Sequence, residues 1–180
     1  MRKGDFIYTG REVEFYPLDP VESEILIEDI SHALSLTCRG NGHTKHFYSV
    51  GQHSISCAKE AKLRGYSKRV QLACLLHDGS EAYISDITRP VKKELKEYLE
   101  IEEKLQAAIY KKYGLGDLTK AELELIKNVD DSMLKYEMKN LMNFHEIVAD
   151  DLIGEYSLDF VMMNTIEEEF IQLFNAISNN

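Results

Sequence analysis

Apolar residues recur every three or four positions over most of the chain, and six stretches carry that period far enough to predict helices: 28–37, 47–64, 68–83, 92–113, 119–142 and 165–178. Ser67 has the character of an N-cap for the third, and Thr119-x-x-Glu122 and Thr165-x-x-Glu168 read as capping boxes for the last two. Gly114 and Gly116 break the chain between the fourth and fifth. Only residues 5–16 alternate with a strand period, around Thr9-Gly10-Arg11, with Pro17 and Pro20 closing the segment. Residues 143–163 keep neither period and read as a crossover loop or a short extra helix. The expected architecture is therefore all-α, a helical bundle with a small N-terminal β-hairpin. At 180 residues it forms one domain: a hairpin extension over 1–20, a core over 28–142 and a C-terminal segment with its helix over 143–180.

Three of these helices carry polar residues where the apolar stripe calls for aliphatic ones. Val70, Ala73, Cys74, His77 and Glu81 share one face, so His77-Asp78 stands at the end of an inward stripe with Glu81 one turn later. On the 47–64 helix, Phe47, Val50, Ser54, Cys57, Ala58 and Ala61 form the apolar face and His53 lies at its edge. On the 119–142 helix, Ile126, Asp130, Met133, Leu134, Glu137 and Leu141 align, which puts a carboxylate in a core position. Burying such groups costs several kcal/mol unless a partner satisfies them, and a metal ion is a common solution. Two imidazoles and two carboxylates, from His53, His77, Asp78 and Asp130, suit Mn, Fe, Co, Ni, Zn or Mg, with open positions for water and substrate. A metal-activated water would be the nucleophile, and Glu81 could move its proton.

These residues resemble the HD-domain metal-dependent phosphohydrolases, whose His, His-Asp and Asp on successive helices match His53, His77-Asp78 and Asp130. The likeness extends to the 5′-deoxynucleotidase branch through His77-Asp78-Gly79-Ser80-Glu81-Ala82 and Ser85-Asp86-Ile87-Thr88-Arg89-Pro90-Val91-Lys92, and through Val129-Asp130 followed by Glu137. It covers roughly residues 28–142. Arg39 lies about as far before His53 as that branch's nucleotide-contacting arginine lies before its first histidine. The branch has a tryptophan directly after this arginine, whereas here Gly40-Asn41-Gly42-His43 follows and the chain has no Trp, so sugar-side contacts differ. Tyr8-Thr9-Gly10-Arg11, Tyr16-Pro17-Leu18-Asp19-Pro20 and the segment from Ile27 to Ser35 look like uncharacterised bacterial and phage members of the superfamily.

The resemblance implies a divalent metal held by His53, His77, Asp78 and Asp130, with Glu81 as the proton-transfer residue. It implies substrate contacts from Arg39, Asp86, Lys92 and His43. Each has a plainer reading as well: Arg39 as a helix-end cation, Asp86 as a turn residue, Lys92 as the start of a solvated helix, and His43 as a lone histidine with no ligand role. His46, His32 and His145 are not assigned to the site, and Glu167-Glu168-Glu169 reads as first-turn charge.

Composition narrows the partners. Lys and Arg number 21 against 31 Asp and Glu, a formal charge of −10, which leaves no basic stripe for a nucleic-acid backbone. Cys38, Cys57 and Cys74 form no Cys-x-x-Cys and read as free thiols of a reducing cytoplasm. The opening Met1-Arg2-Lys3-Gly4-Asp5-Phe6 has no apolar leader, and nothing approaches a membrane span in length. The expected activity is a cytoplasmic hydrolase releasing phosphate from a deoxynucleoside 5′-monophosphate, with a homodimer one arrangement open to it. Deoxynucleoside triphosphate hydrolysis is the runner-up. A guanosine tetraphosphate hydrolase fits less well, because Ala82 stands where that family has a second acid. The rival from another class is a catalytically silent nucleotide-binding module.

Overall fold

The computed structural model describes residues 2–178 and is mostly helical, with a small antiparallel sheet near its N-terminus. β1 (Ile7–Tyr8) pairs with β2 (Glu14–Phe15) across the turn at Thr9-Gly10-Arg11. The buried Asp29 carboxylate fastens that turn, accepting from Thr9 Oγ1 and the Arg11 backbone N–H at 2.8 Å each. Phe15, fully buried, stacks on Tyr83 with ring centroids 4.0 Å apart, so the hairpin is anchored to the helical core.

The helices are α1 (Ile27–Leu36), α2 (Val50–Leu63), α3 (Lys68–Leu76), α4 (Glu81–Ile84), α5 (Arg89–Lys92), α6 (Lys96–Lys112), α7 (Lys120–Met142) and α8 (Met163–Ser178). α2 lies at the centre, packed against α1, α3, α7 and α8, while α1 also packs on α8. Eleven of the fourteen α2 residues are buried, so its polar side chains must find partners inside the protein. Ser49 and Gln52 close a capping box at its start, Ser67 caps α3 as expected, and Thr119 with Glu122 boxes α7.

The expected 68–83 helix does not run through. It stops at Leu76, and four turn residues, His77 to Ser80, separate α3 from α4. There the backbone tightens, with Gly79 N–H donating to the Leu76 carbonyl at 2.9 Å and Glu81 N–H to the Asp78 carbonyl at 3.0 Å. Gln106 of α6 splices the break: its Nε2 donates to the Leu76 carbonyl at 2.7 Å and its Oε1 accepts from Ser80 N–H at 3.0 Å. Gly79 suits this packing, since a Cβ there would lie a tight 3.0 Å from the Leu76 carbonyl oxygen and 3.4 Å from Ile109.

The expected 92–113 helix is divided too. Pro90 sits in the first turn of the short α5, and α6 begins only at Lys96. α8 starts at Met163, so Thr165 lies inside it and does not cap it. Residues 143–162 form the crossover loop, without regular structure, pinned across α2 and α7. The Glu60 carboxylate, fully buried on α2, accepts from Ile153 N–H at 2.9 Å, Gly154 N–H at 3.1 Å, Tyr156 Oη at 2.8 Å and Arg64 Nε at 2.8 Å. No helix among the described residues is long and apolar enough to cross a membrane.

Candidate metal centre

α2, the end of α3 and α7 bring His53, His77, Asp78 and Asp130 together around one point. His53 Nε2 lies 3.2 Å from His77 Nε2, 3.2 Å from Asp130 Oδ1 and 3.7 Å from Asp78 Oδ2. His77 Nε2 lies 3.4 Å from Asp78 Oδ2 and 3.8 Å from Asp130 Oδ1. Donors bound about 2.1 Å from a single ion stand roughly 3.0–3.5 Å apart at octahedral or tetrahedral angles; three of these five separations lie in that range and two, at 3.7 Å and 3.8 Å, exceed it.

The rings are held so that both Nε2 atoms turn inward. His53 Nδ1 donates to Glu137 Oε1 at 2.7 Å, and His77 Nδ1 donates to the Cys74 carbonyl at 2.7 Å. With the outer nitrogens engaged, the neutral rings would turn two Nε2 lone pairs on one another at 3.2 Å, an arrangement that calls for a proton or a cation between them. The electrostatics agree. Burial disfavours a charged imidazole, yet Asp78 and Asp130 outweigh it and raise His77 to about 9. Asp130, despite burial, is held well below the usual carboxylate range by its bonds to His53 and His77. A cation entering the centre would compete with these protons.

Cys57, one helical turn after His53, adds a sulfur 3.5 Å from His53 Nε2. The donor atoms of His53, Cys57 and His77 all lie within 4.8 Å of one another, and this buried group could hold a metal ion. Burial pushes the Cys57 thiol up, which leaves it protonated unless a cation draws off the proton. From the sequence alone Cys57 reads as a buried free thiol. All three cysteines are free, Cys57 and Cys74 buried and Cys38 half-buried.

Asp78 and Asp130 of the cluster line a cavity of about 510 Å³, within the range of small-molecule sites. Arg39, His43, Glu81, Asp86 and Lys92 line it. Arg39 arrives on a tight loop in which Gly40, Asn41 and Gly42 all take left-handed φ of 53° to 78°, a path that glycine permits. Its guanidinium lies 3.4 Å from Asp78 Oδ2 and from Glu137 Oε2, and 3.2 Å and 3.3 Å from the two ring nitrogens of His53. Asp86 Oδ2 accepts from Gly40 N–H at 3.3 Å and so braces that loop. Lys92 Nζ lies 2.6 Å from Glu102 and 3.6 Å from Glu81. Burial, reinforced by Asp78 and Asp86, holds Glu81 well above the usual glutamate value, and its Oε2 is buried without a hydrogen-bond partner.

Glu137 and Arg89 also line the cavity and had been given no role. Glu137 was visible as a second carboxylate on the Asp130 face of α7; its link to His53 was not. His46, His32 and His145 stand apart, bonded to Leu158, Glu167 and Asn143.

Together these features define an α-helical protein built around a buried group able to hold a metal ion. The chain is 37% identical over 136 residues to the uncharacterised protein YfdR of Escherichia coli (strain K12), covering 76% of this chain and 72% of YfdR. It is 35% identical over 154 residues to the uncharacterised protein RCAP_rcc00048 of Rhodobacter capsulatus, covering 82% and 77%. It belongs to the family of these proteins. No family model matches the chain.

Proposed function

We propose that this protein is an HD-type metal-dependent phosphohydrolase that releases phosphate from deoxynucleoside 5′-monophosphates. The observation that carries the reading is the approach of His53 and His77 to Asp78 and Asp130, two carboxylates that line a cavity also presenting Glu81 and three cations, Arg39, Arg89 and Lys92. A divalent ion held by the four donors, with Mn, Co, Mg, Zn, Fe and Ni all compatible, supplies Lewis-acid polarisation of a phosphoryl oxygen and activation of water.

The chain's own groups supply the rest. Glu137 and the Cys74 carbonyl hold the two imidazoles in register. Glu81, kept neutral by burial, carries a proton for the departing ester oxygen. Arg39, beside Asp78, offsets charge on the phosphate, and Lys92 adds to the positive side of the cavity. Asp86 and His43 line the part of the cavity left for the sugar.

The likeness of Ser85-Asp86-Ile87-Thr88-Arg89-Pro90-Val91-Lys92 to the 5′-deoxynucleotidase branch favours a monophosphate over a triphosphate. Incubating the protein with a panel of nucleoside mono- and triphosphates and Mn, Co, Mg or Zn tests the proposal. Orthophosphate release from the deoxynucleoside monophosphates is expected. Triphosphate release would make it a triphosphate hydrolase, and nucleotide binding with no turnover under any metal would make it a regulatory module.

A further inference from the structure

We propose that Arg89 is the outer anion-binding residue of the cavity, seating the phosphate oxygens that point away from the metal cluster. The inference rests on reading the cavity as a phosphate-ester site.

Among the three cations lining the cavity, Arg39 and Lys92 are drawn into the protein, with side-chain exposures of 14% and 21%, whereas Arg89 is 54% exposed. Arg39 is enclosed by Asp78, Glu137 and His53, and Lys92 is bonded to Glu102. Arg89 opens the short α5, and its position is fixed by two carboxylates of α7. Its Nη2 donates to Asp130 Oδ2 and its Nη1 to Asp131 Oδ1, each at 3.0 Å. Asp131, which also pairs with Lys127, lies outside the cavity lining, so it braces the guanidinium from behind.

Two of five guanidinium N–H groups are used in these bonds, which leaves donors to face an incoming anion. Distance favours the same role. The other oxygen of the Asp130 carboxylate, Oδ1, lies 3.2 Å from His53 Nε2, so one carboxylate separates Arg89 from the point where the four donors meet. A tetrahedral anion resting there would come within reach of a planar fork already held in place, which a lysine at this position could not reproduce.

The test uses the full chain loaded with Mn and inorganic phosphate as the probe, by titration calorimetry, with metal content measured in parallel. R89A is expected to keep its metal and weaken phosphate binding roughly 10- to 100-fold, and R89K to fall between the two. The same substitution should raise KM more than it lowers kcat. Equal phosphate affinity in R89A and wild type would overturn the inference alone, leaving Arg89 as a partner of Asp130. Loss of metal from R89A would also overturn it, since Arg89 would then act by positioning Asp130. Failure of the metal-loaded wild-type protein to bind phosphate would overturn both this inference and the proposed function. R89Q, closer in shape, serves as the second variant if R89A melts early.

Discussion

Replacing Glu137 should separate how the metal centre is held from what the metal does. Glu137 is almost completely buried, touches His53 Nδ1 at 2.7 Å through Oε1 and lies 3.4 Å from Arg39 through Oε2. A hydrogen bond with a charged partner contributes about 1.5–3 kcal/mol, which corresponds to roughly 10- to 150-fold in an equilibrium constant. Losses of 10- to 100-fold in metal affinity are typical when the partner of a ligating histidine is removed. Glu137→Gln keeps an acceptor for the Nδ1 proton and loses only the charge, so its metal affinity should fall by about tenfold. Glu137→Ala loses the acceptor as well, frees the His53 ring to rotate and leaves Arg39 with less compensation, so it should lie near the hundredfold end. Competition with a chromophoric chelator measures both. If the alanine variant bound Mn or Zn as tightly as wild type, His53 would not be held for a metal by this carboxylate.

His77→Ala and Asp78→Ala should each abolish metal binding together with activity, because too few donors remain; wild-type metal content after dialysis would remove both residues from the ligand set. Glu81→Gln should fold and retain its metal while turnover drops by about 10²–10⁴, and a variant keeping more than roughly a tenth of wild-type turnover would rule out proton transfer by Glu81. Glu60→Gln should destabilise the fold by about 1.5–3 kcal/mol, since burial alone would raise the Glu60 carboxyl but its bonds to Ile153, Arg64, Gly154 and Tyr156 lower it. A lowered carboxylate stabilises the native state above its ordinary value of 4.5, and that contribution is lost as pH falls through the lower native value. Urea melts between pH 3 and 7 should therefore show the gap between wild type and Glu60→Gln closing on the acid side, and a gap independent of pH would contradict the charged hub.

Much of the architecture could be read from periodicity, because helices in a small protein betray their buried faces. His53, His77 and Asp130 were legible as polar residues on apolar stripes, a pattern that needs no knowledge of which helix meets which. What escaped depended on distant partners. The break after Leu76 is bridged by Gln106, 26 to 30 positions away, and within the local pattern from Val70 to Glu81 only Gly79 points to it. The bond between Glu137 and His53 joins residues 84 positions apart, so spacing on α7 showed an acid without its purpose. Arg89 escaped because an arginine before proline looks like any exposed helix start; only the two carboxylates of α7 give it a direction. Cys57 stood four residues after His53 in plain view, but composition offered a thiol and not a sulfur 3.5 Å from an imidazole.

The crossover between α7 and α8 has a different consequence. It is fastened at separate points, by Asn128 at Asp150, by Lys135 at Ala149 and by Glu60 at Ile153 and Gly154, while Val148 stands 99% exposed between the helix end and the main clasp. A protease would find its substrate there, since exposed loop tips are where nicking concentrates. A cut at Val148 would leave the downstream piece gripped by Glu60 and docked through α8 on α1, so the two fragments would remain one particle. Covalent continuity at this place is separable from assembly, which makes it the natural point for splitting the chain into two complementing halves or for grafting in a foreign segment.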